Sequence, residues 1–111
     1  MSIWKELTNI EQFATLVDES QKHGSAFVIF KHSTRCSISS MAKRRVDDKW
    51  DITDLPLYYL DLIQYRDVSN YIEQSLNVEH QSPQLILVKN GKAIYDASHM
   101  SISIDKLKHQ L

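Results

Sequence analysis

Cys36 is the only cysteine of the 111-residue chain, and it stands in the run His32-Ser33-Thr34-Arg35-Cys36-Ser37-Ile38-Ser39. An apolar stretch, Ala26 to Phe30, precedes it, and a helix-like pattern from Ser39 to Val46 follows. A thiol at a strand-to-helix junction is placed for nucleophilic chemistry. The first N–H groups of a helix have no internal partners and its dipole is positive at that end. Both favour thiolate, the reactive form, over thiol. The alternative is a buried, inert cysteine acting as a small hydrophobe. The polar neighbours Ser33, Thr34, Arg35, Ser37, Ser39 and Ser40 speak against it.

Cys36-Ser37-Ile38-Ser39 has the form C-x-x-S. A second cysteine at the fourth position would attack a mixed disulfide and release the substrate; the hydroxyl of Ser39 cannot. That hydroxyl and the Ser39 N–H can still donate hydrogen bonds to a Cys36 thiolate. The expected chemistry is therefore monothiol: one exchange, a mixed disulfide on Cys36, then release by an outside thiol. Arg35 places a cation beside the sulfur, to lower its pKa or steer an anionic thiol, unless it is only a solvated loop residue. Lys31 and His32 are weaker candidates; His32 is either a general acid or base or a hydrogen-bonded polar group at a strand end.

Other chemistries fit less well. A tyrosine-phosphatase-like loop needs an arginine six positions after the cysteine, where Ala42 stands. His23, His32, His80, His99 and His109 lack zinc-site spacing, so no metal is expected. With Gly24 and Gly91 as the only glycines there is no glycine-rich phosphate loop. The formal charge of −1 gives a nucleic-acid role no bulk electrostatic support. No segment approaches the ~18 apolar residues of a membrane span. The opening residues lack a signal peptide's basic start and apolar core. A lone cysteine cannot close an internal disulfide, which fits a reducing compartment, so a cytoplasmic location is expected.

The elements that must hold Cys36 read as one domain, residues 1–111. Thr8-Asn9-Ile10-Glu11 reads as a capping box, followed by a helix with Ile10, Phe13, Leu16 and Val17 on one face and Gly24 at its end. Ala26 to Lys31 is a buried strand. The helix after Cys36 is expected to turn Ile38, Met41, Ala42, Val46 and Trp50 inward. Leu57 to Leu62 is a second strand, Asp67 to Leu76 a helix with Val68, Tyr71 and Ile72 inward, and Gln84 to Lys89 a third strand. Asn90-Gly91 signals a two-residue hairpin into a fourth strand, Lys92 to Ala97. A helix over Ser103 to Gln110, with Ile104 and Leu107 inward, closes the chain. The expectation is an α/β fold: an N-terminal helix, then βαβαββα, with a mixed four-stranded sheet between helices.

This order, with a cysteine after the first core strand and Pro83 just before the third, resembles the thioredoxin fold. The resemblance implies a cis Ser82–Pro83 bond beside the thiol, with the Ser82 backbone turned outward to pair with an extended partner. A trans proline that merely opens the strand is the alternative. The stretch Phe30-Lys31-His32-Ser33-Thr34-Arg35-Cys36-Ser37-Ile38-Ser39, together with Gln81-Ser82-Pro83-Gln84-Leu85 and Lys89-Asn90-Gly91-Lys92, resembles the monothiol bacilliredoxin family over nearly the whole chain. Ser37 stands where many thiol-exchange proteins carry proline, which adds an N–H facing the sulfur.

The resemblance implies a thiol-disulfide oxidoreductase of the bacillithiol system, acting on S-thiolated cytoplasmic proteins; separately, a monomer is expected. Cys36 and Ser39 are its expected catalytic residues, and Ser82, Pro83, Arg35 and Thr34 its expected substrate contacts. No bound cofactor is implied; a low-molecular-weight thiol, bacillithiol by the resemblance, is the co-substrate. A non-catalytic peptide-binding module of the same fold and a thiol redox sensor are the competing readings.

Overall fold

The chain's apolar residues pack in two layers about one central strand. The computed structural model describes residues 3–111, and its central strand is β2, Ala26–His32, buried from Phe27 onward. The elements in order are β1 (Trp4–Glu6), α1 (Ile10–His23), β2, α2 (Ser37–Lys49), β3 (Leu57–Asp61), α3 (Arg66–Leu76), β4 (Gln84–Lys89), β5 (Lys92–Ser98), a 3-10 turn (His99–Ser101) and α4 (Ile104–Lys108). The sheet order is β1-β3-β2-β4-β5. β1, β3 and β2 run parallel, and β4 and β5 are antiparallel to their neighbours.

The sheet thus has five strands, and the four-stranded expectation is corrected by β1. Three residues, Trp4-Lys5-Glu6, are too few and too polar to show a strand period. They pair with Leu57, Tyr58 and Tyr59 of β3. The strand is held by its tryptophan: Trp4 lies 5.5 Å from the Phe30 ring and 6.0 Å from Tyr59. The Lys43 ammonium sits 4.9 Å over the same indole. Trp4 Nε1 donates to Asp47.

Alternation along the strands divides the interior into two layers. Val28, Phe30, Leu57, Leu85 and Leu87 meet Ala42 and Val46 of α2 and Ile104 and Leu107 of α4. Phe27, Ile29, Leu60, Ile86 and Val88 meet Phe13 of α1 and Val68 and Ile72 of α3. Helices therefore cover both faces, as parallel strands require.

Local signals act as the residue types dictate, with shifts. The cap of α1 is Asn9 rather than Thr8: its side chain accepts from Gln12 N at 2.7 Å, and the Gln12 side chain accepts from Thr8 N at 3.0 Å. Asparagine caps as well as threonine, so the cap falls one residue later, with the Gln12 side chain reaching back to the Thr8 N–H instead of the N-cap's own. Gly24 ends the helix in the left-handed region at φ 63. Asn90 and Gly91, at φ 57 and 76, make the hairpin turn. Its Gly91 N–H donates to the buried Ser20 hydroxyl at 2.8 Å, which locks the turn onto α1.

The inward face of α2 differs from the expectation. Ser39, Ala42 and Val46 are buried, whereas Ile38 and Met41 are 49% and 59% exposed. Tyr71 of α3 is also 38% exposed, although its ring meets Phe13 edge-on at 5.9 Å. In α2 a buried serine sets the helix phase, which an apolar count reads wrongly.

Candidate functional site

β2 ends at His32, and the chain turns through Ser33, Thr34 and Arg35 to Cys36. The Cys36 N–H donates to Ser33 O at 3.1 Å and closes that turn. Cys36 is the N-cap of α2, with extended backbone (φ −109, ψ 121), and its carbonyl accepts the first helical hydrogen bond from Ser40 N at 3.1 Å. The side chain is a free thiol of intermediate exposure and caps no backbone N–H. The first turn of α2 contains no acidic residue to offset the positive helix end. The thiol thus stands at the helix start, where the first N–H groups have no intrahelical acceptor.

Ser39 is fully buried beneath this turn. Its hydroxyl accepts from Ser33 N at 3.0 Å and lies 2.7 Å from His32 Nδ1. It therefore ties the start of α2 to the end of β2, and its partners are His32 and Ser33. His32 is buried between Phe30, stacked at 6.0 Å, and Tyr59 at 5.5 Å. Burial pushes the His32 pKa down, with Lys43 pushing the same way and Asp61 and the Ser39 bond opposing. The neutral imidazole is favoured over the charged one. Thr34 and Arg35 lie exposed in the turn ahead of the thiol.

The second half of the site comes from β4. Its first residue, Gln84, pairs with Lys31 of β2, so Ser82 and Pro83 reach the same end of the sheet as Cys36. The Ser82–Pro83 peptide bond is cis. Pro83 is buried, its carbonyl accepts from His99 N at 3.0 Å, and the Ser82 hydroxyl is buried with no hydrogen-bond partner. His99 adopts a left-handed φ of 54 and turns the chain toward α2, where Arg45 donates to His99 O at 3.3 Å. Ile38 and Met41 of α2 and Met100 of the 3-10 turn are exposed apolar side chains of these elements.

Comparison with known proteins assigns this arrangement. The family model described as monothiol bacilliredoxin BrxC matches residues 5–107. The chain belongs to the monothiol bacilliredoxin family. Among solved structures, a proposed oxidoreductase with a thioredoxin fold is 30% identical, with a TM-score of 0.84 over 97% of this chain and 93% of that one. Thioredoxin NaTrxh from Nicotiana alata has a TM-score of 0.75 at 17% identity, covering 98% of this chain and 90% of its own. Mitochondrial thioredoxin 3 from Saccharomyces cerevisiae has a TM-score of 0.72 at 20% identity, covering 95% and 90%. The last two share the fold alone. This bacilliredoxin-family chain therefore has a thioredoxin-like α/β fold and belongs to a class with thiol redox chemistry. No helix among the described residues is long and apolar enough to cross a membrane.

Near this end of the sheet Lys31, named from sequence only as a weaker candidate, gathers partners that the sequence did not show. Lys31 is fully buried, and its ammonium donates to Ser69 O at 3.4 Å and to His80 Nδ1 at 3.3 Å. The Ser69 hydroxyl also reaches His80 Nδ1, at 3.1 Å, and Glu73 accepts from His80 N at 2.6 Å. The signal was a lysine inside an otherwise apolar strand, Ala26-Phe27-Val28-Ile29-Phe30-Lys31-His32. Strand alternation turns Lys31 to the Ile29 side, toward α3. Its burial lowers its pKa from 10.5 to about 8, with Glu73 opposing.

Proposed function

We propose that this protein is a monothiol thiol-disulfide oxidoreductase that removes bacillithiol, or a comparable low-molecular-weight thiol, from mixed disulfides on cytoplasmic proteins. The observation that supports it most directly is the position of Cys36: a lone, partly exposed thiol capping α2 in a chain of the monothiol bacilliredoxin family. The Cys36 thiolate attacks the small-thiol sulfur of the mixed disulfide. A Cys36–S–S–small-thiol bond forms, the old disulfide breaks, and the target leaves as its thiolate. A second small thiolate then attacks the small-thiol sulfur on Cys36. The symmetric small-molecule disulfide departs and the Cys36 thiolate returns. No net oxidant is needed, because each step exchanges one disulfide for another.

In this reading the unpaired N–H groups of the α2 start stabilise the sulfur's negative charge. Ser39 holds the turn that carries Cys36. Ser82 and Pro83 offer backbone to an extended partner, and Thr34 and Arg35 contact the small thiol, Arg35 through a carboxylate. The test is to incubate the protein with a target carrying a bacillithiol adduct and follow both chains by mass. Transfer of the adduct from target to Cys36, followed by its loss when free small thiol is added, is the expected result. A target that keeps its adduct, or a Cys36→Ser variant that strips it equally well, would overturn the proposal.

A further inference from the structure

We propose that Lys31 and His80 are positioning residues of the exchange site: with Ser69 and Glu73 they form a partly buried polar clamp that fixes residues 79–83, and the clamp releases when His80 takes up a proton. The proposal rests on the exchange reading above, in which Ser82 offers its backbone to the partner.

The geometry begins with what a lysine can do. An ammonium only donates, so the lone pair of His80 Nδ1 must face it and the neutral ring carries its proton on Nε2. Ser69 shares that nitrogen at 3.1 Å. Residue 80 is thus bound three ways: by its ring to Lys31 of β2 and Ser69 of α3, and by its N–H to Glu73 of α3. Its neighbours are held from β4. The buried Gln84 side chain donates to Glu79 O at 2.9 Å and accepts from Gln81 N at 3.4 Å. Ser82 and Pro83 follow directly, so the placement of the partner-facing backbone depends on this group.

A hydrophobe would fill the space of Lys31 without desolvating a charge, and such replacements are often neutral or stabilising. A buried ammonium kept between an apolar strand and a helix is therefore better explained by what it positions than by what it stabilises. Protonated His80 would present an Nδ1–H to that ammonium at 3.3 Å, and the Lys31 bond would be lost. The charged groups facing the ring are Lys31 from β2 and Arg66 and Glu73 from α3. Burial and Lys31 both disfavour its charged form, with Glu73 opposing.

The experiment has two arms. In the first, the wild-type protein is titrated by NMR. The Gln81 and Ser82 amide signals should shift with the same midpoint as the His80 ring; amides that stay fixed through the His80 titration overturn the clamp. In the second, exchange with an S-thiolated protein is divided by alkylation of Cys36 with iodoacetamide, from about pH 7.5 to about 5.5. Both reactions use the same thiolate, so the ratio cancels its ionisation. The ratio should fall several-fold toward acid in the wild type. It should be low at every pH in Lys31→Met. In His80→Gln, whose amide oxygen accepts from Lys31 but cannot titrate, it should be flat. A purely structural role would change the melting temperature of these variants but leave the ratio and its pH profile unmoved, and that outcome also overturns the proposal. If no mixed disulfide is exchanged at any pH, the oxidoreductase reading fails by itself, while the NMR arm still decides the clamp.

Discussion

The Ser39 hydroxyl and His32 Nδ1 stand 2.7 Å apart, both out of solvent, directly under the turn that presents Cys36. One proton lies between them, and the same oxygen accepts the Ser33 N–H. The start of α2 is thereby fastened to the end of β2 by a side-chain bond where the backbone has left the sheet.

Ser39→Ala leaves the partly buried Ser33 N–H and the buried His32 nitrogen without this partner. A loss of about 1–3 kcal/mol in stability is expected. Exchange should persist at a reduced rate, since the sulfur remains. Urea unfolding and an adduct-transfer assay on the same preparation check both parts; wild-type values for both would contradict the role drawn for this hydroxyl.

Cys36→Ser should abolish adduct transfer while leaving the fold unchanged. The residue contributes no side-chain cap bond and is only partly buried, so serine fits without strain. Circular dichroism and a mass assay separate loss of chemistry from loss of structure.

Acid should weaken the fold through two imidazoles. His32 and His80 both have pKa values lowered from 6.5 by burial, so the unfolded chain takes up protons first. Stability tied to the neutral rings is complete above about pH 6.5 and declines as pH falls from there toward the folded-state values. Urea unfolding at neutral and mildly acid pH should show the decline, and a His32→Phe variant, whose ring keeps the contacts with Phe30 and Tyr59, should show less of it.

Alkali acts in the opposite direction at Lys31. Its folded pKa of about 8 lies below the ordinary 10.5, so between those values the unfolded chain binds more protons and stability rises with pH. Tyr58, Tyr59 and Tyr95 are pushed above 10 by burial and reverse the trend beyond that point. Unfolding free energies between about pH 8 and 9.5 should climb in the wild type and stay level in Lys31→Met; parallel slopes would exclude a depressed lysine.

Gly91→Ala should cost about 1–2 kcal/mol. Gly91 has φ 76, and an added Cβ would stand 3.3 Å from Gln21 Cβ. The same change disturbs the bond to Ser20, so thermal melting should drop while Cys36 alkylation stays the same.

Much of the positioning frame was readable from residue types. The Asn90-Gly91 turn, the strand from Gln84 to Lys89 and the Gly24 stop each depend on one local rule, and each stands where that rule puts it. The placement of the cysteine was legible for the same reason: an apolar run ahead of a helix-like pattern puts Cys36 at a strand-to-helix junction, and it is the N-cap of α2. What escaped depends on tertiary partners. β1 is three residues held by rings from β2 and β3. Ile38 and Met41 look like core residues until Ser39 finds His32 inside the protein. Lys31 reads as the polar end of a strand until α3 covers it, and His80 becomes interesting only beside it.

The solitary thiol has a further consequence for how the molecule can be stored and read. Two copies can be joined by a disulfide only sulfur to sulfur at position 36, and that link occupies both thiols at once. A band of doubled mass on a non-reducing gel is therefore a direct count of molecules whose thiol is blocked, and a reductant that dissolves the band frees each pair together.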